Sequence, residues 1–208
     1  HQEYDGRVQV LEQYFLQPLY AAMLAVKASG KLGEVSNVML SALHGYHAVS
    51  IFRKFLDVSY ENCRVSGRRI RYDVTATNSR SGLDFRGHVV PMERDFLTLE
   101  FENGKTAVYD FSGEQYFSQI RTRRINIQGV RGEINDLTVR YLNQENRAVT
   151  AELNRIDTGI YNNSGWYHSG IMLLDQMIYE NPFAPARLND DEIAVAECLR
   201  RMKRYVVT

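Results

Sequence analysis

The sequence predicts an α+β protein: a broad, mainly antiparallel, open β-sheet with helices packed on one face. Three observations carry this reading. Apolar residues fall at helical spacing near both ends of the chain. Through most of the middle they alternate with a period of two. One short apolar strand separates the first two helical stretches. Strands in series, with helices set outside them, give segregated layers rather than alternating βαβ units.

Taken in order, residues 1–7 are polar and read as a ragged end, and Val8, Val10 and Leu11 as a short strand or lead-in. Leu16, Leu19, Tyr20, Met23 and Leu24 form one stripe, which predicts a helix over 13–29 with Pro18 in its first turn, where the missing N–H costs nothing. Gly30 is its stop. Residues 35–42 are a short apolar strand; His44-Gly45-Tyr46-His47 interrupts it, and Val49, Phe52, Phe55 and Leu56 then fall at helical spacing. After a loop at 57–62, Val65, Ile70, Tyr72, Val74 and Ala76 predict one long strand with a bulge near Gly67. Residues 78–82 are a turn, and 85–90 a weak strand that Pro91 ends. Leu97, Leu99 and Phe101 alternate up to Asn103-Gly104, beyond which come Val108 and Tyr109; Asn-Gly between two such runs signals a hairpin with a type I′ turn. Further strands are expected at 120–128, 132–136, 137–142 and 149–153.

Two helices are expected to close the chain. Trp166, Ile171, Leu174, Met177 and Ile178 suggest the first, up to Tyr179, ended by Asn181-Pro182. The second starts at Asn189, an N-cap with Glu192 three residues on; Ile193, Ala196, Leu199 and Met202 form its stripe. Asp190 and Asp191 favour its positive end, and Arg200, Arg201, Lys203 and Arg204 its negative end.

With 25 basic and 25 acidic residues, the chain has no electrostatic footprint for nucleic acid or an anionic membrane. No apolar run approaches the roughly 18 residues a membrane helix needs. Residues 1–208 are read as one domain, and the start at His1 as that of a fragment. Cys63 and Cys198 form no metal or redox motif and read most simply as buried thiols in a reducing, cytoplasmic setting, with a disulfide between them as the alternative.

The chemistry is expected where the first strand meets its helix, around His44, Tyr46 and His47. A histidine in a first helical turn sits at the positive end of the helix dipole, where a neutral imidazole is favoured and can exchange a proton with a substrate hydroxyl. The bland alternative is a histidine that caps the helix or is satisfied in the core. His44-x-x-His47 has no third metal ligand at helical spacing, so no metal is expected. Trp166, Tyr167 and His168, after a polar loop at 157–165, are candidates for stacking on a sugar, or core anchors. Gly129-x-x-Gly132 lies between strands and is no dinucleotide fingerprint. Arg68, Arg69, Arg71, Arg121, Arg123 and Arg124 read as a solvated face or blunted edge rather than an anion site.

Ser29-Gly30-Lys31-Leu32-Gly33-Glu34-Val35 and the strand after it, then His47 with Ile51, Arg53 and Leu56, resemble the opening of the second domain of Gfo/Idh/MocA oxidoreductases, the glucose–fructose oxidoreductase and inositol dehydrogenase relatives. Gly129-Val130-Arg131-Gly132-Glu133-Ile134 resembles that domain's late hairpin, and Asn181-Pro182-Phe183 with Asp190-Asp191-Glu192-Ile193-Ala194 its closing helical pair. The resemblance covers nearly the whole chain. It implies a fold like the glyceraldehyde-3-phosphate dehydrogenase C-terminal domain and a separate N-terminal Rossmann domain, absent from this chain, that carries NAD or NADP and the Glu-Lys-Pro lysine. It implies oxidation of a sugar or polyol hydroxyl with His47 as the catalytic histidine; His44, a second catalytic candidate, and Tyr46, a substrate-binding candidate, come from the strand-to-helix junction itself. It further implies that subunits pair as a homodimer or higher oligomer through the open sheet face; that the fragment alone binds no cofactor and is inactive is expected from the turn at 43–47, which has one glycine and no acid further on for a ribose. Two features depart from the pattern: Leu43 stands where the family has an aspartate, and the family's substrate-contacting loop before the helix is missing. The alternative is a non-catalytic ligand-binding or dimerisation module that kept the fold.

Overall fold

The structure, a computed structural model, describes residues 10–159 and 165–207; the polar end at 1–7, Val8 and most of the loop expected after Thr158 lie outside them. In chain order the elements are α1 (Pro18–Ala28), β1 (Val35–Ser41), α2 (Gly45–Leu56), β2 (Cys63–Thr75), β3 (Asn78–Ser79), β4 (Gly82–Leu83), β5 (Val89–Phe101) and β6 (Thr106–Phe111). They continue with β7 (Arg124–Gly129), β8 (Gly132–Asn135), β9 (Thr138–Leu142), β10 (Ala148–Thr158), β11 (Tyr167–Leu173), β12 (Gln176–Glu180) and α3 (Asp190–Val207). This is the α+β class the sequence predicts. Two compact units divide it: Ser29–Thr150, and the two chain ends up to Ala28 and from Ala151.

The central unit is a seven-stranded sheet in the order β9-β8-β7-β1-β6-β5-β2. Only β1 and β6 run parallel, with Asn37 opposite Thr106 and Leu40 opposite Tyr109; the other neighbours are antiparallel. The helix α2 packs on β1 and β6. It buries Ala48, Ile51, Phe52, Phe55 and Leu56, the four larger side chains each worth about 2 kcal/mol as apolar surface removed from water. Val49, expected in that stripe, is exposed, because the apolar face is turned by one residue.

The β2–β5 ribbon departs from expectation twice. Gly67 pairs with Leu97 without a register shift, so there is no bulge; a Cβ at Gly67 would lie 2.1 Å from the Phe96 carbonyl oxygen, so the strands' close approach explains the glycine. β5 runs through Pro91 rather than stopping there. Its pairing with β6 reaches only to Asp95, so no strand flanks Pro91 on that side and its missing N–H is tolerated. At Asn103-Gly104 only Gly104 has positive φ (81°), Gly104 N–H donates to Phe101 O (2.9 Å) and Phe101 N–H to Lys105 O (2.9 Å). That is a three-residue loop ending in a glycine bulge, not a type I′ turn.

The two glycine motifs of the sequence meet in this unit. Val130 N–H donates to Glu34 O (3.0 Å) and Arg131 N–H to Leu32 O (2.9 Å). Gly33 has φ 66°, and a Cβ there would lie 2.6 Å from Val130 Cγ2. A glycine is therefore required by both conformation and space.

The other unit comprises α1, the antiparallel strands β10, β11 and β12, and α3. The helix expected over 166–179 is a β-hairpin: Trp166 precedes β11, while Tyr167 and His168 lie on it. A register shift between Ile171 and Met172 buries Gly170 and Ile171 in succession, which breaks the period of two and mimics helical spacing. Leu174, at φ 56°, makes the turn. At α3 the reciprocal cap is present: Glu192 N–H donates to Asn189 Oδ1 (2.9 Å) and Asn189 N–H to Glu192 Oε2 (2.8 Å). The buried face of α3 is Ile193, Ala194, Glu197 and Cys198, again turned from the expected stripe, so Leu199 is exposed. Cys63, expected to be buried, is exposed. No helix among the described residues is long and apolar enough to cross a membrane.

Candidate functional site

The site is built where β1 ends. Val38, Leu40, Ala42 and Leu43 are buried, so the strand dives into the core before the chain turns outward at His44. Gln115 fixes that end: its Nε2 donates to Ser41 Oγ (3.0 Å) and Thr122 O (3.0 Å), and its Oε1 accepts Ser112 N–H (3.0 Å). His44 is the N-cap of α2; its C=O accepts Ala48 N–H (2.9 Å) and its own N–H donates to the Tyr116 hydroxyl (2.9 Å).

The rings then gather. His44 lies edge-on to Phe111 (centroids 5.5 Å), 4.9 Å from Tyr116 and parallel to Tyr46 at 6.1 Å. Tyr46 covers His47 at 4.1 Å. Tyr46 is 68% exposed and His44 is also exposed, whereas His47 is only 7% exposed, on the core side of the helix. The imidazole nitrogens of His44 make no hydrogen bond among the described residues. The guanidinium of Arg123 stands 6.0 Å from the Tyr116 ring. Beneath the cluster, burial pushes the Tyr109 phenol up, with Asp95 and Tyr116 adding to it. Leu43, at the position of the family's aspartate, is fully buried and packs as core.

His44, Tyr46 and His47 are thus brought together. Tyr116, Phe111 and Gln115 complete the site and were invisible as site residues in the sequence. Tyr109 and Phe111, on β6, are buried on the same side of the sheet as this site. Trp166, Tyr167 and His168 belong to the other unit. There His168 is fully buried, its Nδ1 3.1 Å from Asp157 Oδ1, its ring parallel to Tyr179 at 6.0 Å. Asp157 pairs with Arg155 (3.0 Å), and Arg155 with Asp190 (2.8 Å). A ring so enclosed cannot touch a sugar, which corrects its assignment to substrate contact.

Gly45 is the only glycine where β1 turns into α2, and a Cβ there would meet nothing within 4 Å, so no backbone cradle for a pyrophosphate is built there. Among the described residues no group of three or more His, Cys, Asp or Glu is placed to hold a metal ion.

No protein-family model and no curated protein matches the chain. Among solved structures it is similar to an oxidoreductase from Agrobacterium radiobacter in complex with NAD+, L-tartaric acid and magnesium: 18% identity, 92% of this chain and 54% of that one covered, TM-score 0.44. It is similar to levoglucosan dehydrogenase in complex with NADH and L-sorbose: 11% identity, 91% and 55% covered, TM-score 0.44. It is also similar to an inositol dehydrogenase homolog from Azotobacter vinelandii complexed with NADH and myo-inositol: 15% identity, 94% and 54% covered, TM-score 0.41. The chain spans about half the length of the structures it matches.

Proposed function

We propose that this chain is the substrate side of an NAD(P)-dependent oxidoreductase acting on a sugar or polyol hydroxyl, the dinucleotide being held by residues outside this sequence. The observation that carries the reading is the exposed residue His44, its imidazole nitrogens unbonded among the described residues, standing beside the exposed Tyr46 ring at the start of α2. A polyol offers hydroxyls to hydrogen-bond and C–H faces to stack, and this pair supplies an acid–base nitrogen and an aromatic face. The redox chemistry belongs to the dinucleotide. What this chain contributes is a ring nitrogen to take the hydroxyl proton. His44 is the imidazole a substrate meets first, and His47, under Tyr46, is the second one, seated at the family's motif position. Calorimetric titration of this chain with NADH and NADPH is expected to give no saturable heat. Stoichiometric binding of either would overturn the division of labour proposed here.

A second reading, a binding module without turnover, is favoured by Leu43, since an aspartate at that fully buried position is replaced by core. Polyol binding with no dehydrogenase activity in a longer chain that binds the cofactor would select it.

The helix-free face of the seven-stranded sheet is proposed to be covered by a second copy. It carries Met39, Phe96 and Val108 among polar pairs such as Asn37–Thr106 (2.7 Å) and Arg140–Glu133 (3.3 Å). Light scattering at high micromolar concentration is expected to give a dimer mass; a monomer contradicts it.

A further inference from the structure

Three arginines crowd the approach to β7, and in the central unit two of them have partners. Arg121 Nη1 donates to the Ile120 carbonyl (3.0 Å), and Arg124 Nη2 stands 3.7 Å from Asp110 Oδ2. The Arg123 guanidinium makes no hydrogen bond or ion pair among the described residues. Arg124 lies opposite Ser41 at the end of β1, and successive residues of an extended chain point to opposite faces, so Arg123 is sent to the face where Ile125 is buried. Its guanidinium carbon is 6.0 Å from the centre of the Tyr116 ring, and the His44 ring lies 4.9 Å from that same centre.

Hydrogen bonds hold these groups in place. Gln115 Nε2 donates to Ser41 Oγ (3.0 Å) and to Thr122 O (3.0 Å), which fixes the residue before Arg123 against the end of β1. The Tyr116 hydroxyl accepts His44 N–H (2.9 Å). The acids of the neighbourhood are taken: Asp110 by Arg94 (Nη2 to Oδ2, 2.7 Å) and Arg124, Glu114 by the Tyr72 hydroxyl. The His44 surface therefore has beside it a cation with no anion of its own. A guanidinium binds a carboxylate through two parallel N–H···O bonds. One arginine matches the single charge of a carboxylate better than the nearly double charge of a phosphate monoester. With a hydrogen bond of about 3 Å at each end, the gap left between Arg123 and His44 is no longer than a short carbon chain. We propose that the polyol taken by the His44 cluster is a sugar acid, its carboxylate on Arg123 and a hydroxyl at the His44 ring. This rests on the reading of that cluster as a polyol surface and narrows its substrate class.

The test follows arginine Nε–H and histidine ring signals by nuclear magnetic resonance while the chain is titrated at neutral pH with D-gluconate, and with D-glucitol as the uncharged counterpart of equal length. Saturable shifts are expected at both Arg123 and His44 with gluconate, at a Kd about tenfold below that for glucitol. Arg123 is exposed, so Arg123→Gln is expected to fold, to remove that advantage and to leave glucitol binding unchanged. Arg121→Gln is expected to change neither. Equal affinity for the two ligands overturns the proposal and leaves the polyol surface standing. An advantage lost equally in Arg121→Gln also overturns it, as does tighter binding of glucitol 6-phosphate than of gluconate, or a gluconate shift at Arg123 with His44 unmoved. Binding of neither gluconate nor glucitol overturns it as well, and neutral sugars then decide whether the polyol surface stands.

Discussion

At His44 the imidazole stands in the open beside other rings, and its nitrogens make no hydrogen bond among the described residues. At His168 the ring is fully buried and one nitrogen is held by Asp157, the first member of a chain of charges through Arg155 to Asp190 at the start of α3. The first arrangement leaves a proton acceptor available and contributes little to folding. The second ties Nδ1 to Asp157 across β10 and β11 and shuts Nε2 in the core with no hydrogen-bond partner among the described residues. Residue type alone says little about a histidine's task; what its nitrogens already touch, and whether solvent reaches them, says much more.

The contrast is sharpest in stability. His168→Ala removes a buried ring and its hydrogen bond to a carboxylate, and is expected to cost about 3 kcal/mol in urea unfolding. His44→Ala is expected to stay within about 0.5 kcal/mol of the unaltered chain, as for exposed positions generally. Equal losses at the two sites would erase the distinction between them.

A smaller effect appears in alkali, in the unit that holds His168. Burial, with Asp190 and Glu197 adding, pushes the Tyr179 phenol from 10.0 up to about 12. The folded chain therefore holds this proton where the unfolded chain has lost it. The stability so gained is complete below the unfolded value of 10.0 and falls as pH rises to about 12. Unfolding free energy measured across that interval is expected to decline, and less steeply in Tyr179→Phe. An identical slope in the variant contradicts the assignment.

Much of the fold was legible because the signals were local. The 3.6-residue spacing after His44, the Asn189–Glu192 cap and the Gly129–Gly132 hairpin each lie within one element or turn. What escaped was set by contacts across the sequence or by irregular strands. The register shift after Ile171 turned a strand into apparent helical spacing and carried Trp166, Tyr167 and His168 to the wrong element. Pro91 looked like a strand end because the sequence does not reveal that β6 stops short of it. At the site, His44, Tyr46 and His47 were readable as a strand-to-helix junction. Tyr116 was not, since its bond to His44 spans 72 residues and nothing in its neighbourhood marks it.

The central claim is that the exposed imidazole of His44 and the ring of Tyr46 form a surface for a polyol. Its most direct test is nuclear magnetic resonance of the histidine ring nitrogens and tyrosine ring protons while the chain is titrated with a panel of polyols and sugars, myo-inositol and sorbose included. The account predicts saturable shifts at His44 and Tyr46 with at least one of them, abolished in His44→Ala, with His168 unmoved. Unchanged His44 and Tyr46 signals across the panel, or shifts that survive in His44→Ala, would contradict it.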